Sequence, residues 1–426
     1  MEVKPGYKKT EIGLIPENWE VSKTGELFDF KNGLNKSKEN FGHGTPIVNY
    51  MDVFKKPFLL KKDISGRVLV NSKEKLAYSV QKGDVFFTRT SETAEEIGIT
   101  SVMLEETENT VYSGFVLRAR PISEKLIDNF KAYCFSANYY RKQVVSKASY
   151  TTRALTSGKA LSKTIVAIPP KNEQNLIAEA LGDMDALLES LNSLVTKKRA
   201  IKQATMQQLL SGKTRLPGFK NQWNKLTLGQ HLTFLRNGTN SRAELTDNEG
   251  VRYLHYGDIH TSPRTIVNIK STTIPFLPKN KAIKLDRLKT GDLVFADASE
   301  DTSGIGKSIE INNTDNIEIV SGLHTIAVRF DNNVLANGFK SCLQFIPEFR
   351  KHLLKLSSGT KVYATNRSSI SRAQILLPDL NEQTEIYLSI SDIDNNINAL
   401  EARYQKTLAI KKAMMQELLT GRITLV

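Results

Sequence analysis

Few residues of this chain stand at spacings that could do covalent chemistry. Gly306-Lys307-Ser308 and Gly212-Lys213-Thr214 have the tail of a phosphate-binding loop, but the glycine needed five residues earlier is Asp301 in one and Gln207 in the other. Both fail the spacing that lets backbone N–H groups cradle a phosphate. Cys134 and Cys342 form neither a C-x-x-C pair nor a disulfide framework, and with six scattered histidines they indicate no zinc site. They read as ordinary cysteines in a reducing cytoplasm. Pro169-Pro170 is followed by Lys171 and not by an aromatic residue, so it is not an amino-methyltransferase signature. No nucleophile elbow or glycine-rich dinucleotide loop follows a strand. The expectation is a reader without catalysis, metal or cofactor of its own.

What the chain does carry is polar, basic loops at matching places in its two halves. One holds Asn49, Tyr50 and Lys55, and faces a second-half loop with Tyr256 and His260. Another is Thr88-Arg89-Thr90-Ser91. A third, residues 147–159, contains Tyr150, the Thr151-Thr152 pair, Arg153 and Lys159, against Lys361, Tyr363, Asn366 and Arg367 in residues 361–372. Arg242 and Lys307 join the set by the same chemistry. Arginine, lysine, asparagine and threonine hold phosphates and read base edges. The balance of 59 basic against 45 acidic residues, a net charge of +14, draws the chain toward a polyanion such as double-stranded DNA.

The elements that must carry these loops come from an internal repeat. Residues 168–216 shifted by 209 onto 377–425 match at 19 of 49 positions without a gap, including Asn172-Glu173-Gln174 against Asn381-Glu382-Gln383 and Gly212 against Gly421. Upstream the correspondence thins to anchors. Trp19 matches Trp223, Tyr50-x-Asp52 matches Tyr256-x-Asp258, Gly83-Asp84 matches Gly291-Asp292 and Ser113-Gly114 matches Ser321-Gly322. One scaffold thus carries two divergent sets of loops. The fold class expected is α+β, with two α/β domains over 1–168 and 216–376 and two long helices over 169–215 and 377–426.

Within each helix the apolar residues step by four and three: Ile177, Leu181, Met184, Leu188, Leu191, Val195, and Ile386, Ile390, Ile393, Ile397, Leu400, Tyr404. That is the seam of a helix packed along another helix. About 40 residues make a rod of roughly 60 Å. Asn172 and Asn381 are candidate N-caps, and Gly212 and Gly421 stand where C-cap glycines belong. Residues 172–189 carry five acids and no base, whereas residues 195–215 carry six bases and no acid; the second helix repeats the polarity with one exception, Glu417. Antiparallel pairing sets acid against base, so an antiparallel coiled coil with a pseudo-twofold relation is expected. Complementing the helix dipole would account for the first and last turns alone.

The chain resembles the specificity subunit of type I restriction–modification enzymes over its full length. The residues that carry the resemblance are Ile15-Pro16-x-x-Trp19, the Pro-x-x-Asn-Glu-Gln starts at Pro169 and Pro378, and the Met-Gln-x-Leu-Leu-x-Gly ends at Gly212 and Gly421. The resemblance implies two target recognition domains reading a bipartite asymmetric DNA site and a coiled coil fixing the gap. It implies two methyltransferase subunits, carrying S-adenosylmethionine, docked on helix residues such as Leu188, Leu191, Met206, Leu210, Ile397, Leu400, Met415 and Leu419. A restriction and translocation subunit would complete the complex. No membrane span is expected. The alternative is a coiled-coil scaffold that meets nucleic acid through charge alone and shows no sequence preference.

Overall fold

A computed structural model describes residues 5–150, 152–356 and 363–425. The chain divides into two compact units, residues 1–192 with 401–426, and residues 193–400. Among the described residues no helix is long and apolar enough to cross a membrane.

The first unit is built on a five-stranded sheet in the order Phe28–Asn32, Val116–Pro121, Val85–Thr88, Thr100–Met103, Phe58–Leu59. Its pairs are antiparallel except the last, which is parallel. The central strand, Val-Phe-Phe-Thr, is buried along its whole length, as an apolar run covered on both faces should be. One face packs on the helices Asp128–Cys134 and Asn138–Ser146, with Phe28, Phe87 and Tyr140 arranged edge-on around Phe135. The strand Ile165–Ile168 pairs antiparallel with Glu20–Lys23 and runs almost directly into the long helix Lys171–Leu209.

The second unit repeats the plan. Its sheet runs Leu232–Phe234, Thr325–Phe330, Leu293–Ala296, Ser308–Asn312, Ile266–Asn268, again with one parallel pair at the end. The ladder of Asn224–Thr227 with Gln374–Leu377 leads to the long helix Leu380–Leu418. The Gly-Asp turns also repeat. Gly83 (φ +84°) and Gly291 (φ +90°) take the left-handed conformation that favours glycine. The aspartate after each is buried and held bidentately, Asp84 by Arg120 at 2.9 and 2.7 Å and Asp292 by Arg329 at 2.8 and 2.6 Å.

Each unit also contains the start of one long helix and the end of the other, packed in opposite directions. In the first, Ile177 and Leu181 share a core with Leu418 and Leu419, and Lys411 pairs with Asp185. In the second, Ile386 and Ile390 share a core with Leu209 and Leu210, and Lys202 pairs with Asp394 at 2.6 Å. Acidic starts meet basic ends, which is the antiparallel arrangement read from the charge pattern.

Two expectations need correction. The helices begin one residue before Asn172 and Asn381, so neither is an N-cap. The capping position is Asp379 in the second helix, whose carboxylate accepts the Glu382 N–H at 2.9 Å, and Pro170 in the first. The C-cap glycines are as expected, Gly212 at φ +66° and Gly421 at φ +67°. The helix residues taken as a docking face also turn inward. Leu188, Leu191, Leu210, Ile397 and Leu419 are buried and Met206, Leu400 and Met415 half-buried. Leu188, Leu191, Ile397 and Leu400 lie on the heptad seam, which is the spacing of the chain's own packing. Exposed apolar residues on the helices are instead Leu187, Leu194, Ile201, Leu388 and Ile410.

Candidate nucleic-acid interface

In the first unit the short helix Tyr50–Lys55 presents one edge of the site. Asn49 opens it, its N–H donating to Asp52 Oδ2 at 2.8 Å. Tyr50 stacks on Phe54, ring centroids 5.7 Å apart and 17° from parallel. Burial, then the carboxylates of Glu96 and Glu92, hold the Tyr50 phenol above its ordinary pKa, while Ser91 acts the other way. Beside it the strand Thr90–Ser91 pairs with Ala154–Leu155, which closes a hairpin with Ser149–Tyr150. The hairpin carries exposed Tyr150, whose hydroxyl donates to the Glu92 carbonyl at 3.2 Å, and exposed Arg153, 3.8 Å from the Glu92 carboxylate. Tyr50, Thr90 and Arg153 are therefore gathered around one loop. Arg89 points the other way along it, toward the Gly114 carbonyl at 3.5 Å, next to the exposed Phe115 ring. Lys55 and Lys159 are exposed on short helices of their own, Tyr50–Lys55 and Gly158–Leu161.

The second unit builds a deeper version from the matching helix, Tyr256–Thr261. His255 occupies the Asn49 position, and its Nδ1 accepts the Gly257 N–H at 3.3 Å. Burial, then the Arg242 guanidinium, depress the pKa of His255, which suits that accepting, neutral ring. Tyr256 is ringed by His255 at 4.6 Å, His324 at 5.4 Å and His260 at 6.0 Å, the last two edge-on. His260 Nε2 lies 2.8 Å from the Ala298 carbonyl, which fixes that nitrogen as the protonated one. Lys307 donates to the His260 carbonyl at 2.6 Å, and His324 Nδ1 is 3.2 Å from Asp297. Tyr256, His260, Lys307 and His324 line a cleft of about 970 Å³ with Arg264, Asp301 and Arg350 on its other walls. The Ser303 hydroxyl and the Gly304 N–H hold the Asp301 carboxyl below its usual range.

The remaining predicted residues fall around this cleft or away from it. Tyr363 pairs with Ser299 across a two-stranded ladder at its rim. Arg242 is bound to Asp258 at 2.5 Å on the same short helix. Asn366 is committed as an N-cap, accepting the Ser369 N–H at 2.8 Å. Arg367 lies over Phe234 and donates to the Leu235 carbonyl, away from the histidines. Lys361 and Thr151 lie outside the described residues. His324, Asp301 and Arg350 were not singled out from sequence. For His324 there was a signal: the second half has one more residue after the matched Ser-Gly than the first, Ser321-Gly322-Leu323-His324-Thr325 against Ser113-Gly114-Phe115-Val116. It sits at φ +55°, a conformation rare outside glycine and asparagine.

Two copies of one α/β plan, each ending in a long helix and each gathering aromatic and charged loops at one edge of its sheet, define a tandem-repeat protein whose scaffold is shared and whose loops differ. Residues 16–202 match the type I restriction modification DNA specificity domain. The chain is 23% identical to the type I restriction enzyme StySPI specificity subunit of Salmonella potsdam, over 96% of this chain and 89% of that one. It is likewise 23% identical to the MjaVIII specificity subunit of Methanocaldococcus jannaschii, over 96% and 94%. Its fold matches the crystal structure of a type I restriction-modification S subunit from M. genitalium with a TM-score of 0.55 at 15% identity, over 94% of this chain and 96% of that one. Along nearly its whole length the chain is thus similar to the specificity subunits of type I restriction–modification enzymes.

Proposed function

We propose that the chain is the DNA sequence-specificity subunit of a type I restriction–modification complex, each unit reading one part of a bipartite, asymmetric site. The observation that carries this reading is the contrast between the two loop sets on one scaffold. The strand order is the same twice, yet Asn49, Phe54 and Phe115 in one unit give way to His255, His260 and His324 in the other. A scaffold that only bridged partners would have no use for that difference. The loops mix basic, aromatic and acidic side chains, Arg153 beside Glu92 and Lys307 in one cleft with Asp301. Such a mixture suits base edges, where carboxylates accept exocyclic amino groups and aromatic rings pack on bases, better than it suits phosphates alone.

In this reading the chain performs no catalysis. Two methyltransferase subunits docked on it carry S-adenosylmethionine and methylate adenine, and a motor and nuclease subunit adds restriction. The long helices set the unread gap between the two parts of the site. The test is a genome-wide map of methylated adenines in the source cell with the gene intact and deleted. Loss of methylation at one gapped, two-part motif on deletion is the expected result. An unchanged map in a cell that still methylates such motifs would contradict it.

A further inference from the structure

The two units differ at one buried carboxylate in a way the repeat makes plain. In the second unit Glu382, 0% exposed, is met from two sides. The indole of Trp223 donates to Oε2 at 3.2 Å, and the Arg215 guanidinium takes both oxygens, at 2.5 Å each, while lying over the Trp223 ring. In the first unit Glu173 occupies the matching place, 6% exposed, and the Trp19 indole donates to its Oε2 at 2.8 Å. The residue at the offset of Arg215 is Thr424, and that of Asp379, which lies close to Arg215, is Pro170. Among the described residues Glu173 Oε1 has no hydrogen-bond partner. The nearby cation Arg422 is 3.4 Å from Glu417 instead.

Glu173 faces a cavity of about 380 Å³ lined also by Tyr7, Pro16, Asn172, Thr424 and Leu425. A buried carboxylate oxygen left unpaired loses its hydration without a replacement. Burial accordingly holds the Glu173 carboxyl above its usual range, against the Trp19 indole and the Leu425 backbone, which act the other way. The sister site shows what the geometry accepts. We propose that the Glu173 cavity is a binding site for a guanidinium or ammonium group, taken up where the other repeat holds Arg215. The two repeats are then chemically distinct, one closed by its own arginine and one open to a cation.

The chain has two tryptophans, and each donates its indole N–H to one of the two carboxylates, so labelled indole N–H resonances report on both sites at once. The experiment titrates the full-length chain with L-argininamide and follows both signals, assigned with Trp223→Phe. The expected result is a saturable shift of the Trp19 signal with the Trp223 signal fixed. Glu173→Gln, which keeps an oxygen for the indole but loses the charge, should abolish the shift. Thr424→Arg, which supplies the missing side chain, should silence it in a chain that keeps its native fold. A shift in the wild type leaves the site open to a group from another molecule. Absence of a saturable Trp19 shift in the wild type would overturn the proposal, as would an undiminished shift in Glu173→Gln.

Discussion

Lys202 Nζ lies 2.6 Å from Asp394 Oδ1, and the same two residue types, each displaced by 209 positions, pair again as Lys411 and Asp185. Each pair joins the basic end of one helix to the acidic start of the other within its own unit. Lys202→Glu and Asp394→Lys should each lower stability by up to about 1 kcal/mol, the range of partly exposed pairs. The double exchange should recover most of the loss. Denaturant unfolding of the two single variants and the double variant checks this. Additive losses would show that the pair does not set the helix direction.

The C-cap glycines offer a comparison inside one molecule. A methyl at Gly212 would meet Trp223 at 3.4 Å, an ordinary contact, whereas one at Gly421 would meet Pro16 Cδ at 2.4 Å. Both positions have positive φ, so alanine at either should cost about 1 kcal/mol. Gly421→Ala should cost about 1–3 kcal/mol more, the scale of overpacking. Equal losses in unfolding experiments would contradict the close approach of Gly421 to Pro16.

Glu310, 3% exposed, accepts the backbone N–H groups of Gly338 at 2.6 Å and Ser341 at 2.9 Å. Burial pushes its pKa up to about 7, against those two bonds and Lys340. The folded chain therefore holds a proton on Glu310 that the unfolded chain releases, between about pH 4.5 and 7. Stability from this group is present below that window and falls as pH rises through it. The margin of the wild type over Glu310→Gln should shrink by about 2–3 kcal/mol from pH 5 to pH 8. A margin constant with pH would show that Glu310 is ionised throughout.

DNA binding should separate the two kinds of residue in the second cleft. Lys307→Ala should weaken binding to all duplexes alike and lower the salt slope by about 1 if Lys307 meets a phosphate. Tyr256→Ala and His324→Ala should instead relax preference in one part of the site, by about 1–3 kcal/mol of discrimination. Titrations against matched and mismatched duplexes at two salt concentrations distinguish these outcomes. Uniform weakening by all three variants would remove the cleft from sequence reading.

Much of this architecture was legible because it is local and repeated. The step of Ile177, Leu181, Leu188 and Leu191, the acid-to-base polarity of each helix and the glycines after Leu210 and Leu419 all follow from short-range periodicity. Periodicity alone reports that a face is apolar and not what covers it, and the fold covers Leu188, Leu191 and Ile397 with the chain's own packing. The cleft was harder to foresee. His324, Asp301 and Arg350 come from three separate segments and meet only when the sheet brings their loops to one edge. Asn366 looked like a base reader by type, but an asparagine just before a short helix is more usefully spent on its cap. The unpaired Glu173 becomes visible only against its folded counterpart Glu382.

In the proposed function, two modules on one scaffold read two independent parts of a DNA site. Replacing residues 217–376 with the equivalent module of a related specificity subunit, followed by a genome-wide map of methylated adenines, tests it most directly. The expected motif is one in which one part changes to that of the donor and the other part stays. An active hybrid whose motif is unchanged, or altered in both parts, would contradict it.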